Sequence, residues 1–242
     1  MRFLLFVCLG FFVSFMLTAC DAENAQVEQD QENSVAVIEQ SNANLNLNSP
    51  DPLVILALGD SLTEGLGVAK THNYPALLEH KLLARGFDVK VINSGLSGET
   101  SAGLKNRVDW VLQLKPDLTI LNIGANDAMR GLPLELTQNN IENIVERIQQ
   151  ADSQVILAGM QIYDNLGREY VAGFKDMYLE IAGKHELLMI PFFLDQVAGD
   201  PKLNQNDMIH PTAAGYEIIV EQNVLPVILP VVEKLAQIEM QP

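Results

Sequence analysis

Beyond Cys20 the chain has no cysteine, since its two thiols, Cys8 and Cys20, both fall within the first twenty residues. That absence excludes disulfides, thiolate metal sites and a cysteine nucleophile from everything downstream. Positive charge is scarce as well: 15 Lys and Arg stand against 31 Asp and Glu, a formal net charge of -16. A chain so acidic repels phosphate backbones and anionic headgroups, which excludes a nucleic-acid partner. There is no G-x-S-x-G elbow and no phosphate-binding G-x-x-x-x-G-K-[ST]. His185-Glu186 is followed by Met189 where a zinc-binding H-E-x-x-H needs its second histidine. Long hydrophobic runs are missing too. The fifteen uncharged, mostly apolar residues from Phe3 to Leu17 would measure about 22 Å as a helix, against a hydrocarbon core of about 30 Å.

What is present begins with targeting. Arg2, the short apolar run and small residues after it have the form of a secretory signal peptide over residues 1–19. Leu17-Thr18-Ala19-Cys20 resembles the bacterial lipobox. The resemblance implies that Cys20 becomes the lipidated first residue of a periplasmic, membrane-anchored protein, with Asp21 favouring the inner membrane. An ordinary signal peptide with Cys20 as an incidental thiol is the alternative. Between Asp21 and Asp51 there are seven acidic residues and no Lys or Arg. With so little apolar surface to offset ordering entropy, residues 20–52 are expected to form a disordered tether behind the lipid anchor.

From Leu53 onward, short apolar runs alternate with amphipathic windows, and 48% apolar content is ample for a core. Strands are expected at Leu53–Leu58, Val89–Asn93, Leu118–Ile123, Val155–Met160 and Leu187–Pro191. Tyr74, Leu77, Leu78 and Leu82 share one helical face, as do Ile141, Ile144, Val145 and Ile148. Five βα repeats over residues 53–242 predict one domain: a three-layer α/β/α sandwich around a five-stranded parallel sheet, flavodoxin-like in outline. Sheets of this kind carry their sites in the loops at the carboxyl ends of the strands. Pro226 and Pro230 interrupt the last apolar stretch and predict a kink or two segments there.

Chemistry gathers at those strand ends. Gly59-Asp60-Ser61-Leu62 follows the first strand, and Asp207-Met208-Ile209-His210 lies near the end of the domain. A serine hydroxyl is a weak nucleophile until a histidine takes its proton, and the histidine works best when a carboxylate fixes its tautomer. Ser61, His210 and Asp207 match those roles. Two further loops carry Asn93-Ser94-Gly95-Leu96-Ser97-Gly98-Glu99-Thr100 and Gly124-Ala125-Asn126-Asp127. Ser61, Gly98, Asn126 and His210, in that order, resemble the signature residues of the SGNH, or GDSL, hydrolases. Within that family the chain is most similar to the bacterial thioesterase I, lysophospholipase L1 and arylesterase group. Its pattern is echoed in Tyr74-Pro75-Ala76-Leu77-Leu78, Arg130-Gly131, Met160-Gln161-Ile162 and Pro191-Phe192-Phe193.

The resemblance implies that Ser61 attacks an acyl carbonyl, that His210 is its base oriented by Asp207, and that no cofactor or metal takes part. It also implies an oxyanion hole built from the Ser61 and Gly98 amides and the Asn126 side chain. Glu99 and Ala125 depart from the group, which has Asp and often Gly at those places. Met129, Leu132, Ile162, Tyr163 and Leu166 form a mainly apolar set suited to an acyl chain. Small acyl esters or thioesters, lysophospholipids included, are the expected substrates. A carbohydrate O-deacetylase is the alternative among enzymes, and a non-catalytic flavodoxin-like binding lipoprotein the alternative from another class. His72, His80 and His185 are expected at the surface or in packing roles. Asp60 and Asp127 are expected to brace their loops, and Gly59 to permit close backbone approach.

Overall fold

The structure, a computed structural model, describes residues 51–163 and 166–239. The signal peptide at 1–19, Cys20, Asp21 and the tether as far as Pro50 lie outside the described residues.

Five parallel strands make one sheet: β1 (Leu53–Gly59), β2 (Val89–Gly95), β3 (Leu118–Asn122), β4 (Gln154–Ala158) and β5 (Leu188–Ile190), in spatial order β2-β1-β3-β4-β5. β1 and β3 are buried along nearly their whole length. Their content, mainly Leu, Ile and Val, suits a strand covered on both faces. β2 is an edge and alternates more in exposure. Between strands run the helices α1 (Ser61–Glu64), α2 (Tyr74–Leu83), α3 (Ser101–Val111), α4 (Ala125–Met129), α5 (Leu134–Gln150) and α6 (Arg168–Lys184). α3, α5 and α6 pack side by side on one face, while α2 packs with the C-terminal helices on the other, so the three layers expected are present. The predicted helix faces are the buried ones: Tyr74, Leu78 and Leu82 on α2 and Ile141, Ile144, Val145 and Ile148 on α5 are fully enclosed.

Strand ends differ from the sequence expectation by one or two residues, β4 stopping at Ala158 rather than Met160 and β5 shortened to three residues. β2 continues past Asn93 to Gly95, because the register places Gly95 opposite Gly59. The C-terminal stretch is helical throughout, α7 (Ala213–Ile218) passing through a π-helical segment at Ile219–Val224 into α8 (Leu225–Glu239), which contains Pro230. Pro226, in the first turn of α8, has no N–H to give the preceding turn. The chain answers by widening that turn rather than by breaking the helix.

The order β2-β1-β3 defines where a site can form. The chain leaves β1 toward one edge and later returns to β3 on its other side, so the loops after β1 and β3 part and leave a crevice at the carboxyl ends. Gly59 closes β1 with its Cα against β3. A Cβ there would stand 2.2 Å from the Asn122 carbonyl oxygen and 2.4 Å from Thr63 Oγ1. Gly59→Ala is expected to cost roughly 1–3 kcal/mol or more, since a main-chain oxygen cannot rotate away. A urea melt showing the wild-type midpoint in that variant would contradict this account.

Candidate active site

Ser61 is the first residue of α1, a single turn capped at both ends. Asp60 Oδ1 accepts from the Leu62 amide at 3.0 Å. Gly65, with φ of 84°, ends the turn and donates to the Ser61 carbonyl. The left-handed conformation there is one that glycine adopts without penalty. This turn presses on the sheet end, where a Cβ on Gly95 would stand 2.0 Å from the Glu64 amide. Ser61 is therefore held at the carboxyl edge of β1, its side chain largely buried but facing a cavity.

The partners of Ser61 arrive from the far end of the chain. His210 Nε2 lies 2.8 Å from Ser61 Oγ, and His210 Nδ1 lies 2.7 Å from Asp207 Oδ2. The other Asp207 oxygen accepts from the Ile209 and His210 amides at 2.9 and 3.0 Å, so the carboxylate organises the loop that carries the imidazole. Desolvation pulls the Asp207 pKa upward, but the amide and ring of His210 and the Ile209 amide outweigh it and hold it down at about 2. The carboxylate stays ionised throughout the neutral range and fixes the Nδ1–H tautomer, which leaves Nε2 free to accept from the serine. Gln205 ties this loop to the chain just after α1 by donating to the Leu66 carbonyl at 2.7 Å.

Gly98 and Asn126 reach the same edge. Among the described residues, the Ser61 and Gly98 amides donate to no protein acceptor. The Gly98 loop is pinned from both sides: Glu64 accepts from the Ser97 amide and hydroxyl, and Arg130 donates to the Gly98 carbonyl at 2.8 Å. Gly98 itself has φ of 76°, which admits only glycine without strain. Asn126 lines the cavity and spends one amide hydrogen on Asp60 Oδ2 at 3.3 Å, leaving the other available. Asp60 is thus both the cap of α1 and the support of Asn126. Burial pushes its carboxyl up from 3.8 to about 6, against the opposing pull of the Leu62 amide, His210 and Asn126.

Further carboxylates brace from behind. Asp127, fully buried, accepts from the Ser101 amide at 2.8 Å and its hydroxyl at 2.5 Å, joining α4 to the start of α3. Glu99 forms a two-pronged pair with Arg107, which also donates to the Ser94 carbonyl and hydroxyl. Among the described residues, the longer side chain at position 99 makes no hydrogen bond to Ser61, Asn126 or His210, and it anchors the second loop. His72 and His80 are exposed and His185 half-buried, all away from the cavity.

A cavity of about 550 Å³ opens beside Ser61. Met129, Ile162, Tyr163 and Leu166 line it, as the sequence suggested. Leu132 does not. Gly131, at φ of 63°, turns the chain after α4, and Leu132 is held by its own backbone, donating to the Asp127 carbonyl and accepting from Tyr170 on α6. The loop residues Phe192, Leu194, Met208 and Ile209 complete the apolar wall. Phe192 had a signal in Pro191-Phe192-Phe193. Met208 and Ile209 had one only in lying between Asp207 and His210. Among the described residues no cluster of His, Cys, Asp and Glu could hold a metal ion.

Fold and site together define a serine hydrolase built on an α/β/α sandwich, an ester-hydrolysing enzyme. The chain belongs to the GDSL-like Lipase/Acylhydrolase family, which it matches over residues 57–218. It is 33% identical over 177 residues to Esterase TesA of Pseudomonas aeruginosa, covering 73% of this chain and 88% of that protein. It is 29% identical over 168 residues to Thioesterase 1/protease 1/lysophospholipase L1 of Escherichia coli, covering 69% and 79% respectively. The structure resembles that of the psychrotrophic esterase EstA from Pseudoalteromonas sp. with a TM-score of 0.71 and 31% identity, covering 75% of this chain and 99% of that one.

The raised Asp60 pKa carries a stability signature. Unfolded chains release this proton near 3.8 while the folded protein keeps it to about 6. Stability from this group therefore falls as pH rises through that window and is level above it. In urea melts across that range, Asp60→Asn is expected to gain about 3 kcal/mol on wild type. Parallel pH curves for the two proteins would contradict a buried, late-titrating carboxyl.

Proposed function

We propose that Ser61 is the nucleophile, His210 the general base and Asp207 its orienter in the hydrolysis of acyl esters and thioesters, lysophospholipids among them. The observation that carries this reading is the unbroken relay from Ser61 Oγ through His210 to Asp207 at the wall of an apolar cavity. Ser61 Oγ adds to the acyl carbon as its proton passes to His210 Nε2. The carbonyl π pair becomes an oxyanion facing the Ser61 and Gly98 amides and the free hydrogen of Asn126. Collapse re-forms the carbonyl and expels the alcohol or thiol, which leaves with the proton held on His210. Water then repeats the sequence on the acyl-enzyme, releasing the acid and restoring the serine.

The wall of Ile162, Leu166, Phe192 and Leu194 supports an acyl chain more than an acetylated sugar, since the space far exceeds an acetyl group. Family membership and the intact relay leave no support for a binding-only role. Hydrolysis of nitrophenyl esters of graded acyl length, beside acyl-CoA and lysophospholipid, is the direct test. Ser61→Ala is expected to abolish turnover with the fold intact. Asn126→Ala should lower kcat by about a hundredfold to a thousandfold with KM within a few-fold, because its hydrogen bond strengthens mainly in the transition state. Wild-type turnover by Ser61→Ala would end the reading.

The same proposal includes location. Residues 1–19 would be removed and Cys20 acylated, with residues 20–52 as a tether to a periplasmic domain at 53–242. Asp21 favours retention at the inner membrane. Among the described residues no helix is long and apolar enough to cross a membrane, so anchoring would rest on lipid. More than one acyl chain suffices for stable attachment where one is marginal. Cys20→Ser is expected to move the enzyme from the membrane fraction to the soluble one. Identical partitioning of both forms would remove the anchor.

A further inference from the structure

The loop carrying Asp207 and His210 is secured toward α1 by Gln205, but its other side has a different support. Tyr163, in the loop after β4, donates its phenol hydrogen to the Met208 carbonyl at 2.6 Å. Met208 is one of the few non-glycine residues in the left-handed region, with φ of 59°, and it sits directly after Asp207. Such a conformation costs free energy in isolation and persists where neighbours over-determine it. Its amide donates to the Gln205 carbonyl at 2.9 Å. Its carbonyl is taken by Tyr163, so the two bonds fix both peptide groups flanking the strained residue. Among the described residues, no other hydrogen bond joins the stretch from Met160 to Leu166 with the Asp207–His210 loop.

Tyr163 and Met208 also both line the cavity beside Ser61. Their bond therefore joins two sides of the acyl space, although the tyrosine is 56% exposed and needs no partner to satisfy its hydroxyl. A solvated phenol that nevertheless reaches a main-chain oxygen beside the relay does two things. It holds the turn that aims His210, and it completes the outer wall of the cavity.

We propose, on the basis of the acyl-hydrolase reading above, that Tyr163 is a positioning and specificity-determining residue whose bridge to Met208 favours short acyl chains over long ones. Short chains fit within the bridged wall and benefit from a fixed His210. Chains that extend past the wall must part the bridge, and the hydrogen bond is lost from their transition state alone. The net worth of such a bond sets the scale of discrimination at roughly threefold to tenfold.

The test is Tyr163→Phe, which deletes the hydroxyl and keeps the ring, with Tyr163→Leu as a second variant that keeps apolar cover. Both should lower kcat for acetyl and butyryl nitrophenyl esters severalfold at unchanged KM. The ratio of kcat/KM for dodecanoyl over butyryl esters should rise by about threefold to tenfold. Amide hydrogen exchange at Met208, Ile209 and His210 should quicken in both variants without added substrate. An unchanged chain-length ratio in both variants, or a uniform loss at every length, would overturn the proposal. Exchange at wild-type rates would do the same. Wild type inert toward every ester would instead overturn the acyl-hydrolase reading and the specificity role with it, and exchange would still decide whether Tyr163 holds the loop.

Discussion

The pairing of β1 with β2 on one side and β3 on the other is the constraint on which the site depends. Gly59 is opposite Gly95 in one register and Asn122 in the other, so the three strands finish level with one another. Loops that begin at the same height can bring Ser61, Gly98 and Asn126 to one place with only a few residues each. A one-residue slip of β1 would set a side chain where Gly59 now lies against Asn122, and a slip of β2 would do the same where Gly95 meets the Glu64 amide. The two glycines thus protect the register and, through it, the geometry of the chemistry.

Behind that edge, buried carboxylates hold loops without being placed to meet a substrate carbonyl. Asp127 fastens α4 to α3, Glu99 grips Arg107, and Asp60 both caps α1 and steadies Asn126. Charges withdrawn from water are tolerable only with partners, and each of these has at least two hydrogen bonds or a two-pronged guanidinium. The acidic character of the chain is therefore only partly a surface property. Asp60 meets the cost of enclosure another way, by holding its proton to higher pH than an exposed aspartate.

The strands and helices were readable from periodicity because parallel strands buried on both faces are continuous apolar runs and their helices are one-sided. Ser61, Asp207 and His210 could be proposed from chemistry and local spacing. Gly98 and Asn126 needed the family pattern, since a lone glycine or asparagine in a loop has no periodic signal. Leu132 was misplaced because hydrophobicity near Asn126 says nothing of direction, and Gly131 turns the chain between them. Contacts such as Asn126 with Asp60 span 66 positions, and no local pattern encodes them.

Ser61 and His210 are 149 positions apart, and Tyr216 on α7 reaches back to the Leu62 carbonyl at 3.0 Å. Ser61 emerges early in synthesis and His210 late, and the helix that backs the turn after β1 is later still. A nascent chain thus carries a complete first strand and turn but no imidazole beside Ser61. Such long-range closure slows folding, because loop entropy is lost before the contact is gained. It also ties assembly of the site to the arrival of the segment around His210, so a ribosome handles a polypeptide whose site stays unassembled until all five strands have been made.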